Sequence, residues 1–80
     1  MTKEVDYFIE NLATFAGASI SVVEALDALI KDTKSRRMIR MIGAIREDVE
    51  SGVPLSKALE LTHQFPEHVI SLIRIGEESG

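Results

Sequence analysis

Two histidines, His63 and His68, and thirteen carboxylates are the groups from which a metal centre or an acid–base pair could be built. Their spacing works against both. Two ligands on one helix stand three or four residues apart, so that both side chains share a face. These histidines are five apart with Pro66 between them, and Glu67 is the neighbouring carboxylate, so no third ligand is indicated. Surface or capping histidines are the favoured reading. No serine stands in a strand–turn–helix nucleophile motif. The five glycines are dispersed, so no loop is available to cradle a phosphate. With no cysteine, disulfides and thiolate metal sites are excluded. A chain of 80 residues also offers little interior for a pocket. The sequence therefore implies no catalytic, cofactor-binding or metal-binding residues, no cofactor, and no enzymatic activity.

Charge is the more informative chemistry. The net charge is −4, yet Lys31, Lys34, Arg36, Arg37 and Arg40 place five of the nine basic residues within ten positions. Such a cluster suits an acidic partner or anionic lipid headgroups. A solvated helix start is the plainer reading. Arg36 and Arg37 fall where a helix begins, and there the dipole disfavours cations. Nucleic acid is disfavoured, because no aromatics interleave for stacking and the chain as a whole is acidic. A second unusual segment is Gly76-Glu77-Glu78-Ser79-Gly80. It sets two carboxylates at the negative pole of the last helix, where each is disfavoured by about 0.3–1 kcal/mol. Several broken local rules together mark a candidate site. The expectation is that Gly76 allows close approach of another helix and that Glu77 or Glu78 meets a cation on it, in this domain's own basic cluster or on a partner. Arg74 is within reach of either glutamate as an alternative.

The elements that position these residues are all helical. Val5, Phe8, Ile9, Leu12 and Phe15 have helical spacing, and this first helix fades near Gly17-Ala-Ser19. Ser19 or Ser21 caps the second, with Glu24 at the capping-box distance from Ser21. Its stripe is Val22, Val23, Leu26, Leu29 and Ile30. Asp32, Thr33 or Ser35 caps a third, whose inner face is Met38, Met41, Ile42, Ile45 and Val49. Ser51-Gly52 stops it. Pro54 opens a short fourth helix, with Leu55, Ala58, Leu59 and Leu61 turned inward. Thr62-His-Gln64 breaks that one, and Phe65-Pro66 opens a fifth through Val69, Ile70, Leu72, Ile73 and Ile75. The expected fold is a small all-α antiparallel bundle of about five helices, with residues 1–80 as one domain. Ser19 to Leu26 echoes Gly52 to Leu59, which reads as two similar helix starts more readily than as a solenoid repeat.

In order and spacing these motifs resemble the cytoplasmic domain of the type II secretion system F proteins, a family shared with type IV pilus assembly. The likeness runs from about Phe8 to Gly80. It rests on Phe8-Ile-Glu-Asn-Leu12-Ala13, the turn at Ala18-Ser19, Glu24-Ala25-Leu26, Gly52 through Leu59, Phe65-Pro66, and Gly76 through Gly80. Ser19 and Ser21 depart from the glycine and proline common in the family, which bears on the subfamily.

The resemblance implies a non-enzymatic scaffold domain on the cytoplasmic side of the bacterial inner membrane. Its implied partners are the assembly ATPase and other machine proteins, and a homo-oligomer is a further option. The candidate interaction residues are Gly76, Glu77, Glu78, Ser79 and Gly80, with Arg36, Arg37 and Arg40. The family pattern continues past Gly80 into a further helix and a membrane span. A fragment ending here is expected to leave apolar surface uncovered and to self-associate. The competing reading is a free-standing helical adaptor that takes a peptide or helix in a groove.

Overall fold

Local capping chemistry places five helices: α1 (Lys3–Gly17), α2 (Val22–Asp32), α3 (Arg36–Glu50), α4 (Leu55–Thr62) and α5 (Glu67–Ser79). The computed structural model describes residues 3–17 and 21–79, and no strand occurs among them. The expectations at Ala18, Ser19 and Gly80, and those on the side chains of Phe15 and Ser79, lie outside the described residues. At the start of α2, Ser21 Oγ accepts a hydrogen bond from the Glu24 amide at 3.1 Å. At the start of α3, Ser35 Oγ accepts from the Met38 amide at 3.2 Å. Each serine satisfies one of the amides that a helix start leaves without an internal partner.

The end of α3 is set by Gly52, whose φ of 106° only glycine adopts at low cost. Two reversed hydrogen bonds close the turn there, Gly52 N–H to Val49 O at 3.1 Å and Val53 N–H to Asp48 O at 2.9 Å. This is the Schellman arrangement, and it consumes carbonyls that would otherwise be orphaned. α4 ends differently. His63 takes the left-handed conformation at φ 56°. The Thr62 hydroxyl donates back to Leu59 O at 2.7 Å, and the Gln64 amide donates to Thr62 Oγ1 at 3.2 Å. Both prolines stand one residue earlier than expected: Pro54 is the capping residue of α4, and Pro66 immediately precedes α5. α5 also continues through Gly76 to Ser79, with the glycine accommodated inside the helix.

Neighbouring helices in sequence are neighbours in space, α1 against α2, α2 against α3, α3 against α4, and α4 against α5. Their shared interior holds Val5 and Phe8 from α1, Leu26 from α2, Ile42 and Ile45 from α3, and Leu59 from α4, all fully buried. Burying one such side chain contributes about 1.5–3 kcal/mol. Phe65, in the loop before α5, lays its ring 5.7 Å from that of Phe8 at 47°, which ties the last loop to the first helix.

Four apolar residues expected inside are exposed: Val22, Leu61, Leu72 and Ile75. Helical geometry gives the reason. Leu61 is two positions from buried Leu59, on nearly the opposite side of α4. On α5, the inner face is Ile70 and half-buried Ile73, and the same face reaches Glu77 one turn later. Leu72 and Ile75 lie on the other side, 66% and 61% exposed. An apolar run on α5 thus covers two faces, of which the domain uses one.

Candidate interaction surfaces

The start of α4 needs an acceptor that its own sequence cannot supply. Proline at the capping position has no side-chain oxygen, and no local side-chain cap forms. α5 supplies one from 21 residues further along the chain. The Ser56 amide donates to Glu77 Oε2 at 2.8 Å, and the Ser56 hydroxyl donates to Glu77 Oε1 at 2.6 Å. Both carboxylate oxygens are engaged on a serine that is 3% exposed. The carboxylate thus stands at the positive pole of α4, where anions are stabilised. Its unfavourable place at the negative pole of α5 is offset by a favourable one on the neighbouring helix.

Within the domain, Glu77 meets the start of α4 and, among the described residues, no cation. A Cβ on Gly76 would meet nothing within 4 Å, so no helix among the described residues packs closely on that glycine. Arg74 reaches neither Glu77 nor Glu78. Its guanidinium lies 3.6 Å from Glu60 of α4, which Lys57 also approaches at 3.0 Å. The hydrogen bond from Lys57, with the charges of Lys57 and Arg74, holds the Glu60 carboxyl below its ordinary range. Beside the Ser56–Glu77 contact an open groove of about 430 Å³ is lined by Val22, Val49, Val53, Leu55 and the two glutamates.

Three basic residues, Arg46, Lys57 and Arg74, are matched by carboxylates within the domain. Arg46 of α3 bonds the Asp27 carboxylate of α2 and lies 3.4 Å from Glu50. The bond to Asp27 raises the Arg46 guanidinium above its ordinary value. Tyr7 of α1 donates to Asp32 at the end of α2 at 2.8 Å, and the carboxylate raises the phenol. Every ion pair among the described residues draws on Arg46, Lys57 or Arg74.

The basic cluster stands outside these pairs, and so does Lys3. Arg36, Arg37 and Arg40 are exposed on the first turns of α3 and take part in none of those pairs. Arg37 donates to a neutral acceptor, Gln64 Oε1, at 2.9 Å. The guanidinium thereby bridges from α3 to the loop after α4. Arg37, Arg40, Met41 and Ala44 recur at the spacing of one helical face, and with Thr62 and Gln64 they line an open groove of about 330 Å³. Both histidines are exposed, and the described residues contain no group of three or more potential metal ligands. No helix among them is long and apolar enough to cross a membrane.

Sequence reasoning did not single out Ser56. Two signals pointed to it: a proline start without a cap and a carboxylate at the wrong helix pole are complementary needs.

Comparison with known proteins places these features in a family. The family described as type II secretion system (T2SS), protein F, matches residues 8–80. The type IV pilus assembly protein PilC of Thermus thermophilus is 35% identical over 78 residues, covering 98% of this chain and 19% of the relative. The type II secretion system protein F of Xanthomonas campestris pv. campestris is 42% identical over 77 residues, covering 91% of this chain and 18% of the relative. A PilC protein of Pseudomonas aeruginosa is 32% identical over 73 residues, covering 91% and 20%. The chain thus spans about a fifth of the length of the curated relatives it matches.

Proposed function

The chain belongs to the type II secretion system protein F family, and we propose that residues 1–80 form a non-enzymatic scaffold module within a secretion or pilus machine. In this reading the module stands on the cytoplasmic side of the inner membrane. Segments outside these residues hold it there, and it contacts the assembly ATPase and other machine proteins. The observation that carries the reading is the contrast in charge. Arg46, Lys57 and Arg74 are paired within the domain, while Arg36 and Arg40 have no carboxylate partner among the described residues. A surface whose charges the fold leaves unmatched is available for a complementary protein. Glu77 then supports contact indirectly, by fixing the end of α5 against α4, while Glu78 makes no such bond. Leu72 and Ile75 favour association with a second copy through the outer face of α5. The test is binding of the purified chain to the purified assembly ATPase from the same organism. Arg36→Gln, Arg37→Gln and Arg40→Gln together are expected to weaken that binding at unchanged helicity. Full binding by the triple variant would return the cluster to a solvated helix start.

A further inference from the structure

We infer that the groove lined by Arg37, Arg40, Met41, Ala44, Thr62 and Gln64 receives an acidic amphipathic helix of a partner protein. The inference rests on the scaffold reading above and names the chemistry of the contact. Three observations carry it. One wall of the groove is a single face of α3, with Arg37 and Arg40 at its start and the apolar Met41 and Ala44 following, and Thr62 and Gln64 form the other. A helix laid across it meets charge and apolar surface in the register that an amphipathic helix itself presents, carboxylates beside an apolar stripe. Second, Arg37 is tethered to Gln64, so one guanidinium is already held at the groove rim before any partner arrives. A tethered side chain loses less freedom on binding. Third, the chain carries a net charge of −4. An acidic helix is repelled by most of the surface and attracted here, which selects the site and steers the approach.

A membrane surface would use the same cations differently. Headgroups sum the positive charge near them, Lys31 and Lys34 included, and have no use for an open groove of about 330 Å³ between α3 and the end of α4. The two lysines do not line the groove, so they separate the two occupants.

The experiment uses the full chain and a labelled helical peptide of about 18 residues, long enough to hold helix in water, with leucines on one face flanked by glutamates. Affinity is read by fluorescence anisotropy at low and moderate salt. The wild-type chain is expected to bind. The Arg37→Gln, Arg40→Gln pair is expected to weaken binding about tenfold, as loss of rim charges lowers attraction. Ala44→Glu is expected to abolish it, because the new carboxylate occupies the groove and lies one turn from Arg40. Lys31→Gln with Lys34→Gln should change affinity less than about twofold. Circular dichroism confirms that each variant remains helical. Absence of binding, retained binding by Ala44→Glu, or an equal loss from the lysine pair would overturn the groove. So would binding of anionic phospholipid vesicles that competes with the peptide and follows the lysines. A parallel titration with the purified assembly ATPase separates the two readings. An ATPase that binds wild type and Ala44→Glu alike leaves the scaffold standing and removes the groove. An ATPase that binds neither, while the peptide behaves as described, supports the groove and removes that partner.

Discussion

Glu77 and the arginine cluster break the same rule in opposite senses. Glu77 sets an anion at the negative end of α5, and Arg36 and Arg37 set cations at the positive end of α3. The fold resolves the first and leaves the second. Glu77 turns to the amide and hydroxyl of Ser56 and becomes the missing cap of α4. Arg37 has Gln64 as a neutral partner, and neither it nor Arg36 pairs with a carboxylate among the described residues. A charge in an unfavourable place on its own helix is therefore not by itself a binding site. It is one only when no neighbouring element inside the domain uses it.

The comparison can be broken at four points. The largest effect is expected from Leu59→Ala. Leu59 is 0% exposed and α4 carries Ser56 near one end and Thr62 at the other, so both regions depend on its packing. Truncation should cost about 2–4 kcal/mol in urea unfolding, a large share of the stability of a small domain. Next is Glu77→Gln, expected to cost about 1 kcal/mol, the usual value of a lost helix cap. In a double-mutant cycle with Ser56→Ala the two losses should add incompletely, because both weaken the hydroxyl–carboxylate bond while the Ser56 amide remains in Ser56→Ala. Additive losses would break the resolved half of the comparison. Third, replacing Arg36, Arg37 and Arg40 by Gln should shift stability by no more than about 0.5 kcal/mol in either direction. A marked loss would show that the fold uses these cations after all.

The smallest effect is in the pH dependence. Glu60 has its folded pKa held below the ordinary 4.5 by Lys57 and Arg74. The stability it contributes is present above the unfolded value and is lost as pH falls through the folded one. Glu60→Gln should therefore lower stability slightly above about pH 4.5, where the wild type carries this contribution, and converge with the wild type in acid, which flattens the acid limb. An unaltered acid limb would remove Glu60 from the matched charges.

Helix number and most helix ends were legible in the sequence because they depend on a few adjacent residues. Ser21, Ser35 and Gly52 each act within one turn of their own position, and each does what its type implies. The family was legible in the order of such signals. What sequence reading missed depends on separation along the chain. Helical spacing identifies an apolar stripe but not which side meets a neighbour when apolar residues occupy both, as with Leu72 and Ile75. The Ser56–Glu77 contact crosses 21 residues, and only the packing of α4 against α5 brings the two together. Helical spacing puts Arg74 within reach of Glu77 and Glu78 but does not show Glu60, which becomes its neighbour only across that interface.

The borrowed cap of α4 also fixes the order in which this end of the domain can open. An eight-residue helix is shorter than the roughly 12–15 residues at which an isolated helix is even marginal in water. It persists through its neighbours, and its first turn persists through the last turn of α5. Fraying of α5 therefore takes the start of α4 with it, while α2 and α3, capped by their own serines, keep their amides closed to solvent exchange. The two last helices open as one unit, and a pull on the end of α5 is felt first at Ser56.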